Sequence, residues 1–128
     1  MLLLDTNVLI LMLVRGTDAA RQVTRWIDER ETLGTSAVCW YEFISGPVDD
    51  RAVDLAAATL AGRIIPFTAE HAREALRLFN ATGRQRRMRI DAVIAATAIV
   101  TNAHLATSKT ADFLPFTALG LRLWQHIH

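Results

Sequence analysis

One cysteine, one lysine and three prolines in 128 residues, with no apolar run long enough to cross a bilayer, remove whole classes of protein before any motif is read. A lone Cys39 permits no internal disulfide and no thiolate-rich metal site, and it suits a reducing, cytoplasmic setting. Val8 to Val14 is apolar throughout but spans seven residues, against the roughly 20 a membrane helix needs. No basic segment precedes it, so it does not read as a signal peptide. The net charge of +1 is too small to announce a nucleic-acid binder, so such a role must rest on where the charges lie. Apart from Lys109 the basic residues are all arginine. The length suits one domain over residues 1–128, large enough to bury a core without staples.

What is present alternates between short apolar runs and helical periodicity. Leu2, Leu3 and Leu4 read as a strand buried on both faces, with Asp5 at its carboxyl end. Val8 to Val14 reads as a helix that is apolar all round and in need of cover on every side. Asp18 to Glu31 is amphipathic, with Val23, Trp26 and Ile27 on the core face. A short strand near Thr35 leads to Ser36, a candidate N-cap for a helix over Ala37 to Ser45. Asp49 or Asp50 can cap the next helix, ending near Gly62. Arg63 to Phe67 is an expected strand, with Pro66 marking either its end or an edge position. Thr68 can cap a long helix whose Ala72, Ala75, Leu76 and Phe79 share one face, closed by Gly83. Asp91 to Thr101 is an alanine-rich helix ending at Asn102. His104 to Thr107 is a strand, Ser108 to Phe113 a turn or a single helical turn, and Leu121 to Trp124 a last strand. The alternation implies an α/β fold, with a parallel sheet covered by helices on both faces.

Of the 13 acidic residues, nine lie in polar, helix-surface or capping contexts and four do not. Asp5 ends an apolar strand, Glu42 sits among Trp40, Tyr41 and Phe43, Asp91 opens an apolar helix, and Asp112 is bracketed by Ala111 and Phe113. Each falls near a strand-to-helix or strand-to-turn passage, where a parallel sheet gathers side chains at one edge. Carboxylates held together repel and take up protons unless a cation neutralises them. Magnesium or a similar hard ion does so while keeping several waters, and such sites commonly act on phosphates. Each acid also has a plain structural reading: Asp5 and Asp91 as N-caps, Glu42 on the polar face of its helix, Asp112 as a turn residue.

Asp5-Thr6-Asn7 after an apolar strand, Ser36-Ala37 followed by Glu42, Asp91-x-x-Ile94-Ala95-Ala96, and Leu105-x-Thr107-x-x-x-x-Asp112-Phe113 together resemble the PIN domain, and within it the VapC toxins of toxin–antitoxin pairs. The resemblance spans nearly the whole chain in order. It implies a three-layer α/β/α domain with a central parallel sheet, and an endoribonuclease dependent on magnesium or manganese (Mg2+ or Mn2+) that hydrolyses RNA with a metal-activated water. It also implies a homodimer and a cognate VapB-like antitoxin that blocks the site. By the family pattern Asp5, Glu42, Asp91 and Asp112 are the catalytic, metal-binding acids, with Asn7 and Thr107 as polar companions. Ser108 and Lys109 depart from it, since VapC-like chains often carry Asn or Arg there, and the departure bears on substrate preference.

The most basic stretch, Arg84, Arg86, Arg87 and Arg89, lies immediately before Asp91, a position that favours phosphate binding over a solvated loop. His71, His104, His126 and His128 form no zinc spacing and read as structural or surface residues. Cys39, Trp26, Trp40 and Trp124 read as core. Two other readings compete: a non-catalytic PIN-like module binding RNA or protein, and a receiver- or phosphatase-like domain. The phosphatase pattern needs an Asp where this chain has Asn7. A receiver needs its nucleophile after a mid-chain strand, with a lysine nearby, whereas the only lysine follows Thr107.

Overall fold

The computed structural model describes residues 1–124; His126 and His128, read above as structural or surface residues, lie outside the described residues. In chain order the elements are β1 (Leu2–Leu4), α1 (Thr6–Leu11), α2 (Asp18–Asp28), β2 (Leu33–Ser36), α3 (Ala37–Ile44), α4 (Asp50–Thr59), β3 (Ile64–Ile65) and α5 (Ala69–Ala81). A 3-10 turn (Arg86–Met88), α6 (Arg89–Val100), β4 (His104–Ala106), α7 (Thr110–Thr117) and β5 (Arg122–Leu123) follow. The strands form one five-stranded, all-parallel sheet in the order β3-β2-β1-β4-β5, flanked by helices as the central layer of an α/β/α sandwich.

β1 is central, and its three leucines are buried, as a strand covered on both faces requires. The chain leaves β1 toward β2 and β3 on one side and returns to build β4 and β5 on the other, so the strand order reverses there. Ligands bind at such reversal points, outside the carboxyl ends of the strands. Pairing of Leu4 with Ala106 sets the next residues, Asp5 and Thr107, side by side. The short β3, followed by Pro66, sits at an edge, where a missing N–H costs no ladder bond.

Caps expected from the sequence are in place. Ser36 accepts from Cys39 N, Asp49 from Ala52 N and Thr68 from His71 N, and the His71 ring closes a reciprocal capping box on Thr68 N. That contact makes His71 structural. Trp26 and Trp124 meet edge to face, 5.6 Å between ring centres, and Asn102 adopts the left-handed conformation that ends α6.

Several expectations need correction. Val8 to Val14 is not one helix: α1 begins at Thr6 because Asp5 caps it, and it stops at Leu11 before a turn that leads to Gly16. Val8 and Leu9 are buried, but Ile10 and Val14 remain about half exposed, so an all-round apolar sequence does not produce all-round burial. Ile27 points outward, since Val23 and Trp26 define the inner line of α2. On α5, Leu78 and Phe79 enter the core while Leu76 and Ala72 stay exposed. Asp91 does not cap α6, which starts two residues earlier with Met88 at its N-cap.

The segment after Ser108 is a full helix, α7, despite Pro115 in its second turn. Phe113 and Phe116, three residues apart, lie on one face and are completely buried, and this packing outweighs the proline's lost hydrogen bond. Phe116→Ala is therefore expected to cost about 3–5 kcal/mol in urea unfolding, while Leu114→Ala on the exposed face stays within roughly 0.5 kcal/mol.

Candidate active site

Among the described residues Asp5 is the side chain on which the most hydrogen-bond donors converge. It is buried at 4% exposure where β1 passes into α1, and four donors converge on it. Thr6 N (2.9 Å) and Cys39 Sγ (3.5 Å) donate to Oδ1; Thr107 Oγ1 (2.7 Å) and Asn7 Nδ2 (3.2 Å) donate to Oδ2. Asn7 Oδ1 in turn accepts from Ser108 N, and Thr107 Oγ1 accepts from Lys109 N, so the β1 and β4 exits are tied together through this carboxylate. The capping reading of Asp5 is correct and is only part of its role: one oxygen starts α1 while the other faces β4.

Burial and the neighbouring Asp5 push the Cys39 thiol up to about 12, so it stays protonated and serves as a donor rather than a nucleophile. Glu42, exposed on α3, accepts from Thr6 Oγ1 at 2.9 Å. A cavity of about 160 Å³ lies between these groups, and its lining includes Asp5, Thr6, Asn7, Glu42, Asp91 and Lys109, with Ile10, Ile90 and Ile94 as apolar walls. Asp91 enters it from the first turn of α6, whose dipole favours an anion there.

Asp112 stands on the exposed side of α7 and does not line the cavity, but its charge reaches Asp91. Desolvation first, then Asp112 and Asp5, and more weakly Glu42, raise the Asp91 carboxyl to about 6, with Lys109 pulling the other way. Asp5, Glu42 and Asp112 thus each lie within electrostatic reach of Asp91.

The arginines divide. All four are exposed; Arg84 and Arg89 lie over the Phe79 ring at 5.0 and 5.1 Å and line a separate apolar groove of about 290 Å³. Arg86 and Arg87 stand on the 3-10 turn before α6. Sequence reasoning gave no place in the site to three contributors. Thr6 positions Glu42, Cys39 donates to Asp5, and Lys109 is the one basic side chain lining the cavity. The only available signal was proximity to the acidic motifs.

Among the described residues the donor set is carboxylate, hydroxyl and amide, with no histidine and with the nearby thiol protonated, a hard set that suits magnesium or manganese rather than zinc. Among the described residues no three His, Cys, Asp or Glu side chains stand close enough to hold an ion directly. A hard ion held through one or two carboxylates and its own waters needs no such triplet.

The sequence matches the family model for the PIN domain over residues 2–114, and the chain belongs to that family. PIN domains are nucleases, generally acting on nucleic acids with divalent metals. Solved structures with the same fold include FitAcB from Neisseria gonorrhoeae, with a TM-score of 0.71 at 23% identity over 98% of this chain and 97% of that one. A toxin–antitoxin complex from Klebsiella pneumoniae matches with a TM-score of 0.71 at 24% identity, covering 89% and 91%. VapBC2 from Rickettsia felis, bound to a fragment of its promoter DNA, gives 0.66 at 18% identity, covering 97% and 98%. No curated protein matches by sequence.

Asp91 binds its proton more tightly folded than unfolded between its ordinary value of 3.8 and about 6. Metal-free stability therefore falls as pH rises through that window, by an amount that solvent screening reduces. Thermal melts in EDTA below and above the window should show this fall in the wild type and a flatter profile in Asp91→Asn. Parallel profiles would mean that Asp91 does not feel the other acids.

Proposed function

We propose that the chain is a magnesium- or manganese-dependent endoribonuclease and the toxin of a VapBC-type toxin–antitoxin pair, its nuclease domain spanning residues 1–128. The observation that carries the reading is the meeting of Asp5, Glu42 and Asp91 in one cavity at the sheet's reversal point, with Asp112 near enough to raise Asp91. Membership of a nuclease family and likeness to a structure described as a toxin–antitoxin complex support it.

Asp5 and Asp91 would be the most direct ligands of the ion, with Glu42 and Asp112 completing its shell or holding its waters. When bound, the ion supplies Lewis acidity and a water of lowered pKa for attack on the RNA phosphodiester. The chain's own residues do the positioning. Thr107 and Asn7 hold Asp5 in one orientation, Thr6 holds Glu42, and Ile10, Ile90 and Ile94 form apolar walls beside them. Arg84, Arg86, Arg87 and Arg89 are the candidate RNA-binding residues beside it. A cognate VapB-like antitoxin would cover the site. Exposed Ile10 and Val14 favour a homodimer, and the lone cysteine favours a cytoplasmic setting. Among the described residues no helix is long and apolar enough to cross a membrane.

Purified protein should cut a mixed RNA pool with magnesium or manganese and stop on addition of EDTA. Asp5→Asn should abolish cutting, and Thr107→Val, which removes one donor from Asp5, should lower it roughly 10- to 100-fold with the fold retained by circular dichroism. RNA that is bound but never cut under either metal would favour the non-catalytic module instead.

A further inference from the structure

The acidic cavity presents an electrostatic problem to the substrate the nuclease reading gives it, because an RNA phosphate must approach Asp5, Glu42 and Asp91 with Asp112 nearby. Neither Arg84 nor Arg89 lines that cavity; both line the apolar groove with Phe67, Leu76 and Val93. Among the described residues Lys109 is the one basic side chain that lines the acidic cavity.

Its backbone is fixed by the site itself. Lys109 N donates to Thr107 Oγ1, the same hydroxyl that donates to Asp5 Oδ2, and Lys109 O accepts from Asp112 N at 3.0 Å. The stem therefore rises from the seam that joins Asp5 to α7, and the residue is exposed to solvent. The ion pairs found among the described residues are Arg21–Asp18 and Arg77–Glu74, and neither involves the cavity, so the ammonium is not locked onto a carboxylate. A compact, mobile ammonium with three donors, anchored at its root and free at its tip, suits a phosphate oxygen.

We infer that Lys109 is a substrate-contacting residue of this site, its ammonium pairing with a non-bridging phosphate oxygen of the RNA strand that enters the acidic cavity. This rests on the nuclease reading and extends it, because it adds a positive charge at the cavity itself, from the α7 side, to the arginines that stand outside that cavity. Lysine here also gives the site a cation of its own, beside any divalent ion it takes up.

Lys109→Met, which keeps the stem and removes the charge, separates the possibilities. With manganese present, kcat/KM on a fluorescently labelled single-stranded RNA of random sequence should fall roughly 10- to 100-fold, and Lys109→Arg should recover part of the loss. In EDTA, where nothing is cut, binding of the same RNA should lose one phosphate contact, so its log–log salt slope should become shallower by about 0.7. A mere counter-ion for the carboxylates predicts otherwise: a larger manganese-induced rise in melting temperature, with the salt slope and kcat/KM unchanged. That outcome would overturn the proposal. If the wild type cuts no RNA at all, the nuclease reading fails on its own, while the salt slope in EDTA still decides whether Lys109 touches phosphate.

Discussion

A carboxylate at 4% exposure persists at the end of an apolar strand because four donors satisfy it, and much of the molecule is arranged to bring those donors there. Each comes from a different constraint. Thr6 N comes from the start of α1, Cys39 from the turn that Ser36 caps, Asn7 from the first turn of α1, and Thr107 from a strand that pairs with β1 from 102 residues away. Left unpaired, a buried carboxylate of this kind would cost several kcal/mol or take up a proton. The parallel pairing of Leu4 with Ala106 is what brings the Thr107 hydroxyl within reach of Asp5.

From that anchored acid the remaining charges spread outward with decreasing constraint. Glu42 is held by one hydroxyl, Asp91 by its place at the amino end of α6, and Asp112 by α7 alone, where buried Phe113 and Phe116 keep the helix in place. The gradient from a rigid Asp5 to an exposed Asp112 suits a site that grips a hard cation on one side and leaves its waters and a phosphate accessible on the other. Cys39 belongs to the rigid end: its protonated thiol gives Asp5 a donor without adding charge.

Much of this was legible in the sequence, for identifiable reasons. A triple leucine reads as a buried strand, and strands alternating with helices imply a parallel sheet, so β1, β4 and the acids near their carboxyl ends could be located, although the strand order could not. Cap residues such as Ser36, Asp49 and Thr68 marked helix starts because their side-chain oxygens satisfy free amides there. What stayed hidden depended on packing across the fold. Nothing local distinguishes Leu76 from Leu78 on α5 as the residue that faces the core, and Ser108 to Phe113 read as a turn or a single helical turn where two buried phenylalanines impose a full helix. Likewise the separation of Arg84 and Arg89 from the acidic cavity follows from Phe79, a ring on α5 that both guanidinium groups cover. Lys109 was noticed as a departure from the family pattern, but its place in the cavity lining came only from the way β4 meets α7.

The central claim is that Asp5, Glu42 and Asp91 act as one cation site, and manganese binding followed by the loss of the free-ion electron paramagnetic resonance signal tests it most directly. The wild type is expected to take up manganese, with Asp5→Asn and Asp91→Asn each losing most of that affinity and Glu42→Gln losing part of it. Equal manganese affinity in the wild type and all three variants would contradict the account, because the acids would then share a cavity without sharing a ligand.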